Sequence, residues 1–347
     1  MKVIQILLFL ALFVCREGIS QKQQYRVGIV GFYNLENLFD TDNDPNINDE
    51  EFTPDGLRKW TPELYADKLG NLSQVISELG TEISPDGVAI LGVSEIENRK
   101  VLEDLVKQPK IAARNYQIVQ FDSPDMRGID VGLLYQPKYF KVTGSRAIPL
   151  MIYDDNGERI RTRDILFVSG ELDGEPLHVL VNHWPSRRGG EAASQPLRNA
   201  GAMICKQVVD SLINADPSAK VMIMGDLNDD PTSPSVRKVL AAEGKIKEVR
   251  SKGLFNPMFD LYKKGIGTLA YQDAWNLFDQ IILSKGLISA RVGGYQYFQV
   301  KIHNPAYLFQ KSGHFKGYPF RTFDGDVYAG GYSDHFPVYV VLAKKVE

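Results

Sequence analysis

The sequence predicts an α/β protein in which two mixed β-sheets pack against each other and helices cover their outer faces. Short apolar runs typical of buried strands recur from the start of the chain to its end. Helical patterns separate only some of these runs, so several strands follow one another directly. A single doubly wound sheet would need a helix between most strands, whereas two packed sheets accommodate this order.

The first third of the chain alternates strands with helices. A helix is predicted from Thr61, whose hydroxyl can cap it, with Pro62 at the first helical position, and it ends at Gly80. A second, short helix is predicted at residues 101–106. Strands are predicted at residues 26–33 and 88–93, the latter as a continuous apolar run.

The remaining two thirds are richer in strands. Strands are predicted at residues 116–121, 129–135, 139–142, 165–172, 177–183, 221–225, 278–283 and 336–342. Helices are predicted at residues 196–212 and 235–240. Residues 286–332 are rich in Gly, Tyr, Phe and Lys, and we expect long loops there at one rim. Their interleaved aromatic and basic side chains would suit stacking on bases, but packing within the loops is favoured.

Length and composition indicate one globular domain. The chain has 347 residues, of which 44% are hydrophobic and 24% charged, and no linker or repeat divides it. We therefore expect a single domain over residues 21–347, and a monomer. The net charge of -3 excludes the strongly basic surface that non-specific nucleic-acid binders carry. An anionic substrate would need a metal ion or a few well-placed arginines.

Residues 1–20 have the pattern of a secretory signal peptide. Lys2 precedes an apolar run at residues 3–14, and the small residues Gly18 and Ser20 favour cleavage after Ser20. An uncleaved anchor is disfavoured because the run is too short to span a bilayer comfortably. The protein is therefore expected to be exported to the periplasm, the outer surface or the medium.

Two cysteines bear on this interpretation. Lipidation at Cys15 is disfavoured because Val14 is a poor small residue before it. Removal of the signal peptide leaves only Cys205, so the mature chain can form no internal disulfide. No stretch after the signal peptide is apolar and long enough to predict a membrane span.

Polar residues follow the ends of several predicted strands. Asp226 and Asn228 follow the run at 221–225, and alternation along an extended chain would point both to one side. A carboxylate beside an amide can hold a metal, a water and a phosphate oxygen. An ordinary Asx turn is the alternative, and it would be favoured if this strand end stood alone.

Four further strand ends carry side chains of the same kind. They bear Asn34, either Glu95 or Glu97, His183, and Asp334 with His335. Hard oxygen donors favour Mg²⁺, with Mn²⁺ or Ca²⁺ as alternatives, over zinc. The lack of a cysteine cluster or a His-x-x-x-His motif agrees. Together the five ends predict a hydrolytic metal site.

Five motifs in order resemble the endonuclease/exonuclease/phosphatase family, the metal-dependent superfamily that includes pancreatic deoxyribonuclease and the apurinic endonucleases. They are Tyr-Asn-Leu-Glu-Asn at 33–37, Ser-Glu-Ile-Glu-Asn at 94–98, Asn-His-Trp-Pro-Ser at 182–186, Gly-Asp-Leu-Asn-Asp at 225–229 and Ser-Asp-His-Phe-Pro-Val at 333–338. The resemblance covers essentially the whole mature chain. It implies a four-layer sandwich with the site at one edge of the two sheets.

The resemblance also implies roles for these residues. Glu95 matches the metal-binding glutamate and Asn34 its neighbour in the metal shell, and Asp334, beside that shell, is included with them as a candidate metal residue. Because Glu95 and Glu97 are two apart, only the family's strand register favours Glu95.

The catalytic positions follow in the same way. Asp226 and Asn228 match the pair that orients the attacking water and steadies the phosphate. His335 matches the catalytic histidine, and Asp279 the carboxylate that orients it. His183 matches the second histidine, which hydrogen-bonds the phosphate or the leaving group.

Several nearby charged residues have no settled role in the sequence. Asp130 is one candidate partner for His183. Arg187 and Arg188 suit solvent or a phosphate equally well. Arg198, near the start of a predicted helix, is expected on its solvated face.

The sequence therefore predicts an exported, metal-dependent hydrolase of phosphodiester bonds, with nucleic acid the first candidate substrate. A phosphatase or a lipid-headgroup phosphodiesterase on the same scaffold is the nearest alternative. A non-catalytic binding protein is disfavoured because none of the matched site residues is missing.

Overall fold

The structure, a computed structural model, describes residues 24–154 and 156–346. The predicted signal peptide at residues 1–20 lies outside them. Strands occur along the whole described chain. In chain order they are β1 (Tyr25–Leu38), β2 (Ile90–Ile96), β3 (Gln117–Gln120), β4 (Asp130–Tyr135), β5 (Phe140–Ile148), β6 (Ile152–Tyr153), β7 (Arg159–Ile160), β8 (Ile165–Leu172), β9 (Glu175–His183), β10 (Val221–Asp226), β11 (Ala242–Glu243), β12 (Leu254–Phe255), β13 (Leu269–Tyr271), β14 (Ala274–Asn276), β15 (Asp279–Ser284), β16 (Gln296–Ile302), β17 (Phe323–Asp324), β18 (Val327–Tyr328) and β19 (Val338–Lys345).

The helices are α1 (Pro62–Glu78), α2 (Arg99–Val106), α3 (Glu191–Ala215) and the short α4 (Phe259–Lys263). Three of them lie close to predicted positions, although α3 begins at Glu191 and not at residue 196, and the short α4 was not predicted. The Leu64 amide donates to the Thr61 hydroxyl at 3.5 Å, as expected of the predicted cap. The predicted helix at 235–240 is a π-helical turn, in which Leu240 N donates to Ser235 O.

Two large mixed sheets form the centre of the molecule. One has the strand order β16-β19-β1-β2-β4-β3, and the other β11-β12-β15-β10-β9-β8-β5. In the first, β1 is parallel to β2 and antiparallel to β19. In the second, β10 is parallel to β9 and antiparallel to β15. The predicted α/β class with two packed sheets is confirmed.

Apolar side chains fill the space between the sheets and both outer faces. Phe32 of β1 and Met224 of β10 belong to the central core between the two sheets. Helices α1 and α2 bury Leu72 and Leu102 against the outer face of the six-stranded sheet. Helix α3 packs against the seven-stranded sheet through residues such as Val209. The layers are therefore helix, sheet, sheet and helix, the four-layer sandwich that the motifs implied.

The expectation of long loops throughout residues 286–332 is wrong for one part. Strand β16 pairs with β19 at the edge of the six-stranded sheet. Its residues are half-buried apart from Phe298, which is exposed, so it lacks the continuous apolar run of a central strand. The segment after β16 is largely irregular. Several of its aromatic rings pack on the core, as Phe309 does against Phe336 with ring centroids 4.8 Å apart.

Within the described ranges, no helix combines the length and the apolar character that crossing a bilayer requires.

Candidate active site

Three neighbouring strands of the seven-stranded sheet bring polar residues to one edge in register. His183 ends β9 opposite Asp226, which ends β10, and Asp226 in turn pairs with Asp279 at the start of β15. All three side chains are buried. Carboxyl ends of parallel strands are where α/β sheets usually carry ligands, and β9 and β10 follow that rule.

The six-stranded sheet supplies Asn34 and Glu95 to the same place. Strands β1 and β2 are parallel, and Asn34 pairs with Ser94, the residue before Glu95. The Asn34 amide nitrogen donates to Glu95 Oε1 at 3.2 Å and to Asp226 Oδ2 at 3.1 Å. This amide therefore joins two carboxylates that belong to different sheets.

Glu95, His183 and Asp226 form a candidate metal centre. One ligand atom from each lies within 4.8 Å of the other two. His183 Nε2 is 3.8 Å from Glu95 Oε1 and 3.6 Å from Asp226 Oδ2. Two carboxylates and an imidazole suit Mn²⁺ directly, and Mg²⁺ if water completes its shell. The residues present thus fit a divalent cation.

Glu97 lies away from this cluster. Its Oε2 accepts the Asp40 amide at 2.7 Å, on the far side of a break in the strand pairing between Ser94 and Ile96. Of the two glutamates, the structure brings Glu95, which the family resemblance favoured, to Asn34 and Asp226.

The backbone at the site adopts conformations that non-glycine residues seldom take. Glu95 has φ 57° and Asn228 has φ 49°, both left-handed. Gly225 has φ 153°, and a Cβ there would lie 2.1 Å from the carbonyl oxygen of Asn182 on β9. Glycine at this point of the Gly-Asp-Leu-Asn motif therefore allows close approach of β10 to β9.

His335 and Asp279 form a buried pair. His335 Nδ1 lies 2.7 Å from Asp279 Oδ2, and Nε2 faces Asp226 Oδ2 at 3.9 Å. Burial alone would lower the pKa of His335, but the carboxylates of Asp279, Asp226 and Asp334 raise it well above its usual value. The imidazolium is therefore held with one N–H on Asp279 and the other directed toward the metal cluster.

The surroundings of His183 shift its pKa in the opposite direction to that of His335. Burial first, then the positive charges of Arg163, Arg127 and His335, lower its pKa well below the usual value. A neutral imidazole can accept a proton or bind a metal. Its Nδ1 has no hydrogen-bond partner among the described residues.

Asp130, the candidate partner of His183, is engaged elsewhere. Its carboxylate accepts from the Ser123 amide and from Gln120 Nε2, both at 2.9 Å. Burial raises the pKa of Asp130 to about 7. The hydrogen bonds of this carboxylate therefore support the loop after β3.

Asn228 and Asp334 flank the cluster. Asn228 Nδ2 donates to Trp184 O at 3.0 Å, and its backbone N–H donates to Asp226 Oδ1 at 2.9 Å. The latter is an Asx turn, so the turn and the site occur together. Asp334 Oδ2 accepts from Arg321 Nη2 at 2.8 Å, and its Oδ1 lies 3.9 Å from His335 Nε2.

Two of the three arginines considered from the sequence, Arg198 and Arg187, are tied to protein groups. The expectation that Arg198 lies on a solvated face is wrong, because it is fully buried with Nε 2.7 Å from Asp229 Oδ1. The sequence feature that could have indicated a buried partner for Arg198 is Asp229, which directly follows Gly-Asp-Leu-Asn. Arg187 donates to Asn228 O at 3.0 Å and pairs with Asp230 at 3.0 Å. Arg188 is exposed.

Arg163 is a supporting residue that the sequence did not indicate. It is buried, donates to the backbone oxygens of His183 and Trp184 at 3.1 and 2.7 Å, and pairs with Asp125 at 3.0 Å. It thereby fixes the end of β9 at His183. No local pattern around Arg163 could have revealed this, since its three partners lie 20, 21 and 38 residues away.

Sequence comparison identifies the family. Residues 29–344 match the model of the endonuclease/exonuclease/phosphatase family. The match spans nearly all described residues, and the chain belongs to this family. The motif-based identification is thus confirmed, and membership supports a hydrolase of phosphoesters. No curated protein shows a significant sequence match.

Solved structures share the fold at low sequence identity. An endonuclease/exonuclease/phosphatase family protein from Bacteroides thetaiotaomicron is 15% identical with a TM-score of 0.55, covering 93% of this chain and 100% of its own. D. rerio TDP2 complexed with a single-strand DNA product is 14% identical with a TM-score of 0.54, covering 91% and 98%. A mannosyl-6-phosphatase from B. thetaiotaomicron is 15% identical with a TM-score of 0.53, covering 91% and 99%.

Proposed function

We propose that the protein is an exported, Mg²⁺-dependent phosphodiesterase, with nucleic acid as its first candidate substrate. The choice of a diester rests on one observation, which is that three arginines near the site already form ion pairs with carboxylates. Arg163, Arg187 and Arg321 are each paired with a carboxylate at 3.0, 3.0 and 2.8 Å. A diester carries one negative charge and a monoester about two near neutral pH. Cations already neutralised by carboxylates suit the substrate with the lower charge.

Each site residue has a chemical part in this proposal. Glu95, Asp226 and His183 would hold the cation, whose charge offsets that of the phosphate and lowers the pKa of a bound water. His335, protonated and braced by Asp279, donates its Nε2 proton to a phosphoryl oxygen or to the leaving oxygen. Asn228 steadies the phosphate and, with Asp226, the attacking water.

Among proteins that share this fold, both substrate classes are represented. One neighbour, D. rerio TDP2, was solved with a single-strand DNA product, and another is named a mannosyl-6-phosphatase. Neither settles the substrate here, because likeness at 14–15% identity extends to the fold alone. The net charge of -3 implies that any DNA binding is weak and lost at modest salt.

The test compares kcat/KM for a DNA oligonucleotide and a bis-aryl phosphate with kcat/KM for a nucleotide and a sugar monophosphate, all at one Mg²⁺ concentration. We expect the diesters to be preferred by tenfold or more. The matched control is His335→Ala from the same preparation, which reports contaminating hydrolases. A monoester preference of tenfold would replace this proposal with the phosphatase. No turnover of either class by a folded protein would favour a lipid headgroup or a binding role.

A further inference from the structure

Strand β1 has a bulge between Asn34 and Leu38, and the turn at residues 36–37 within it contacts both Asn34 and the candidate metal ligand Glu95. Glu36 and Asn37 have φ 50° and 52°, which is left-handed backbone that non-glycine residues avoid. The Glu36 N–H donates to Asn34 Oδ1 at 2.9 Å, and the Asn37 N–H donates to Glu95 Oε2 at 3.0 Å. The directions of the Asn34 amide and the Glu95 carboxylate therefore depend on the conformation of this turn.

The Glu36 side chain is anchored from the opposite direction. Its carboxylate is buried, and Oε2 accepts both from Thr322 N at 2.7 Å and from Thr322 Oγ1 at 2.8 Å. Two hydrogen bonds to one residue fix the side chain in one position. Thr322 also follows Arg321, which binds Asp334, so the same segment supports another residue of the site.

A lysine on helix α1 completes the network. Lys68 is fully buried, and its Nζ donates to Thr322 Oγ1 at 2.5 Å and to Tyr332 O at 3.5 Å. The Thr322 hydroxyl accepts from Lys68 and must then direct its own proton to Glu36. A buried ammonium is rare unless it is paired, and here it balances the buried Glu36 carboxylate through one hydroxyl.

We propose that Lys68, Thr322 and Glu36 form a positioning clamp that holds the turn at 36–37 in its left-handed conformation. The clamp thereby aims the Glu95 carboxylate at the cation, and it rests on the proposed function because it assumes that Glu95 binds a metal. None of the three residues contacts the ligand cluster itself in the hydrogen-bond network. They act through the backbone N–H groups of Glu36 and Asn37.

Thr322→Val is the decisive variant because it keeps the shape and removes the hydroxyl without changing charge. Mn²⁺ binding is measured on the purified full chain by the electron paramagnetic resonance of free Mn²⁺. We expect the dissociation constant to rise tenfold or more in Thr322→Val and to stay within twofold in Thr322→Ser. Leu72→Ala, one turn from Lys68 on the same helix and fully buried, is the matched control. It should lower Tm without changing Mn²⁺ affinity.

Lys68→Met tests whether Lys68 acts by positioning the turn at 36–37 or only as a positive charge near the cation. If Lys68 acted only as a nearby positive charge, its removal would tighten cation binding. The clamp predicts the opposite, a rise of tenfold or more in the dissociation constant. Unchanged or tighter Mn²⁺ binding in folded Thr322→Val and Lys68→Met would overturn the clamp. If Lys68→Met does not fold, the Mn²⁺ affinity of Thr322→Val alone tests the clamp.

Glu95→Gln distinguishes failure of the clamp from failure of the metal site. Weaker Mn²⁺ binding in Glu95→Gln, with wild-type affinity in Thr322→Val, would reject the clamp and keep the site. Wild-type affinity in Glu95→Gln, or no Mn²⁺ binding by the unmodified protein, would reject both.

Discussion

His335 Nδ1 lies 2.7 Å from Asp279 Oδ2, a contact that joins the start of β15 to the turn before β19. Asp279 is fully buried, and its other oxygen has no hydrogen-bond partner in the described part of the chain. Among the described residues, the Asp279 carboxylate therefore hydrogen-bonds only to the His335 imidazole. The pair fixes which nitrogen of His335 faces Asp226 and keeps the ring protonated.

Replacing Asp279 by Ala should lower kcat by about two to four powers of ten, the usual range for lost acid–base catalysis. The histidine would lose both its orientation and the charge that keeps it protonated. The double variant with His335→Ala should be little slower than His335→Ala alone, because residues that act as a unit are not additive. Losses that multiply in the double variant would show that the two residues work separately.

Chelation should abolish activity, and Mg²⁺ or Mn²⁺ should restore it. Glu95→Gln should weaken the apparent metal affinity by at least about tenfold, since even residues that only support metal ligands typically contribute that much. Glu97→Gln is the control two residues away, because Glu97 holds the Asp40 amide outside the cluster. Full activity in Glu95→Gln with an inactive Glu97→Gln would reverse the assignment.

Asp130→Asn should change how stability depends on pH. Burial raises the pKa of Asp130 to about 7 in the folded protein, against about 3.9 for the unfolded chain. The folded state binds more protons between these values, so the group lowers stability as pH rises from about 4 to about 7.

The amide variant cannot ionise and escapes this loss. The unfolding free energy of Asp130→Asn relative to wild type should therefore rise between pH 5 and pH 8 by more than about 1 kcal/mol, the value of roughly one pKa unit. Denaturant unfolding at the two pH values measures it. An identical difference at both values would mean that Asp130 is already ionised in the folded protein at pH 5.

Gly225→Ala should destabilise the protein by at least about 2 kcal/mol, within the range for overpacking. The new Cβ would lie 2.1 Å from Asn182 O, and the φ of 153° is unfavourable for alanine. Gly144→Ala in strand β5 is the matched control, because nothing lies within 4 Å of its Cβ position. Equal Tm values for the two variants would contradict this account of the motif's glycine.

The mature protein should begin at Gln21. This expectation rests on the small residues Gly18 and Ser20, which follow the apolar run and suit a cleavage site. Mass spectrometry of the N-terminus of the exported protein measures it. A start at Cys15 with the mass of a lipid, or an intact Met1, would contradict it.

The sequence by itself determined the fold class and most of the residues that meet at the site. Strands and helices are local patterns of apolar side chains, and each site residue stands at the end of such a pattern. His183, Asp226 and His335 could therefore be placed at one rim before their distances were known. The family resemblance that five ordered motifs carry then implied the four-layer sandwich.

The family resemblance favoured Glu95 over Glu97, and the tertiary structure gives the physical reason why the two differ. Residues two apart share a face of a regular strand, so alternation cannot choose between them. Glu95 has φ 57° and interrupts the pairing of β2, which sends the two carboxylates to different partners. Asn228 departs from alternation for the same reason, because β10 ends at Asp226 and Asn228 is left-handed.

Tertiary structure also decided which charges are buried. Lys68 meets Thr322 across 254 residues of sequence, and Arg198 meets Asp229 from another element. A lone charge on an amphipathic helix is normally solvated, and only a partner brought from a distant segment makes burial favourable. The sequence around Lys68 carries no signal of Thr322, and Asp229 could be recognised as a candidate acid but not as the partner of Arg198, so both buried cations became visible only when the chain was folded.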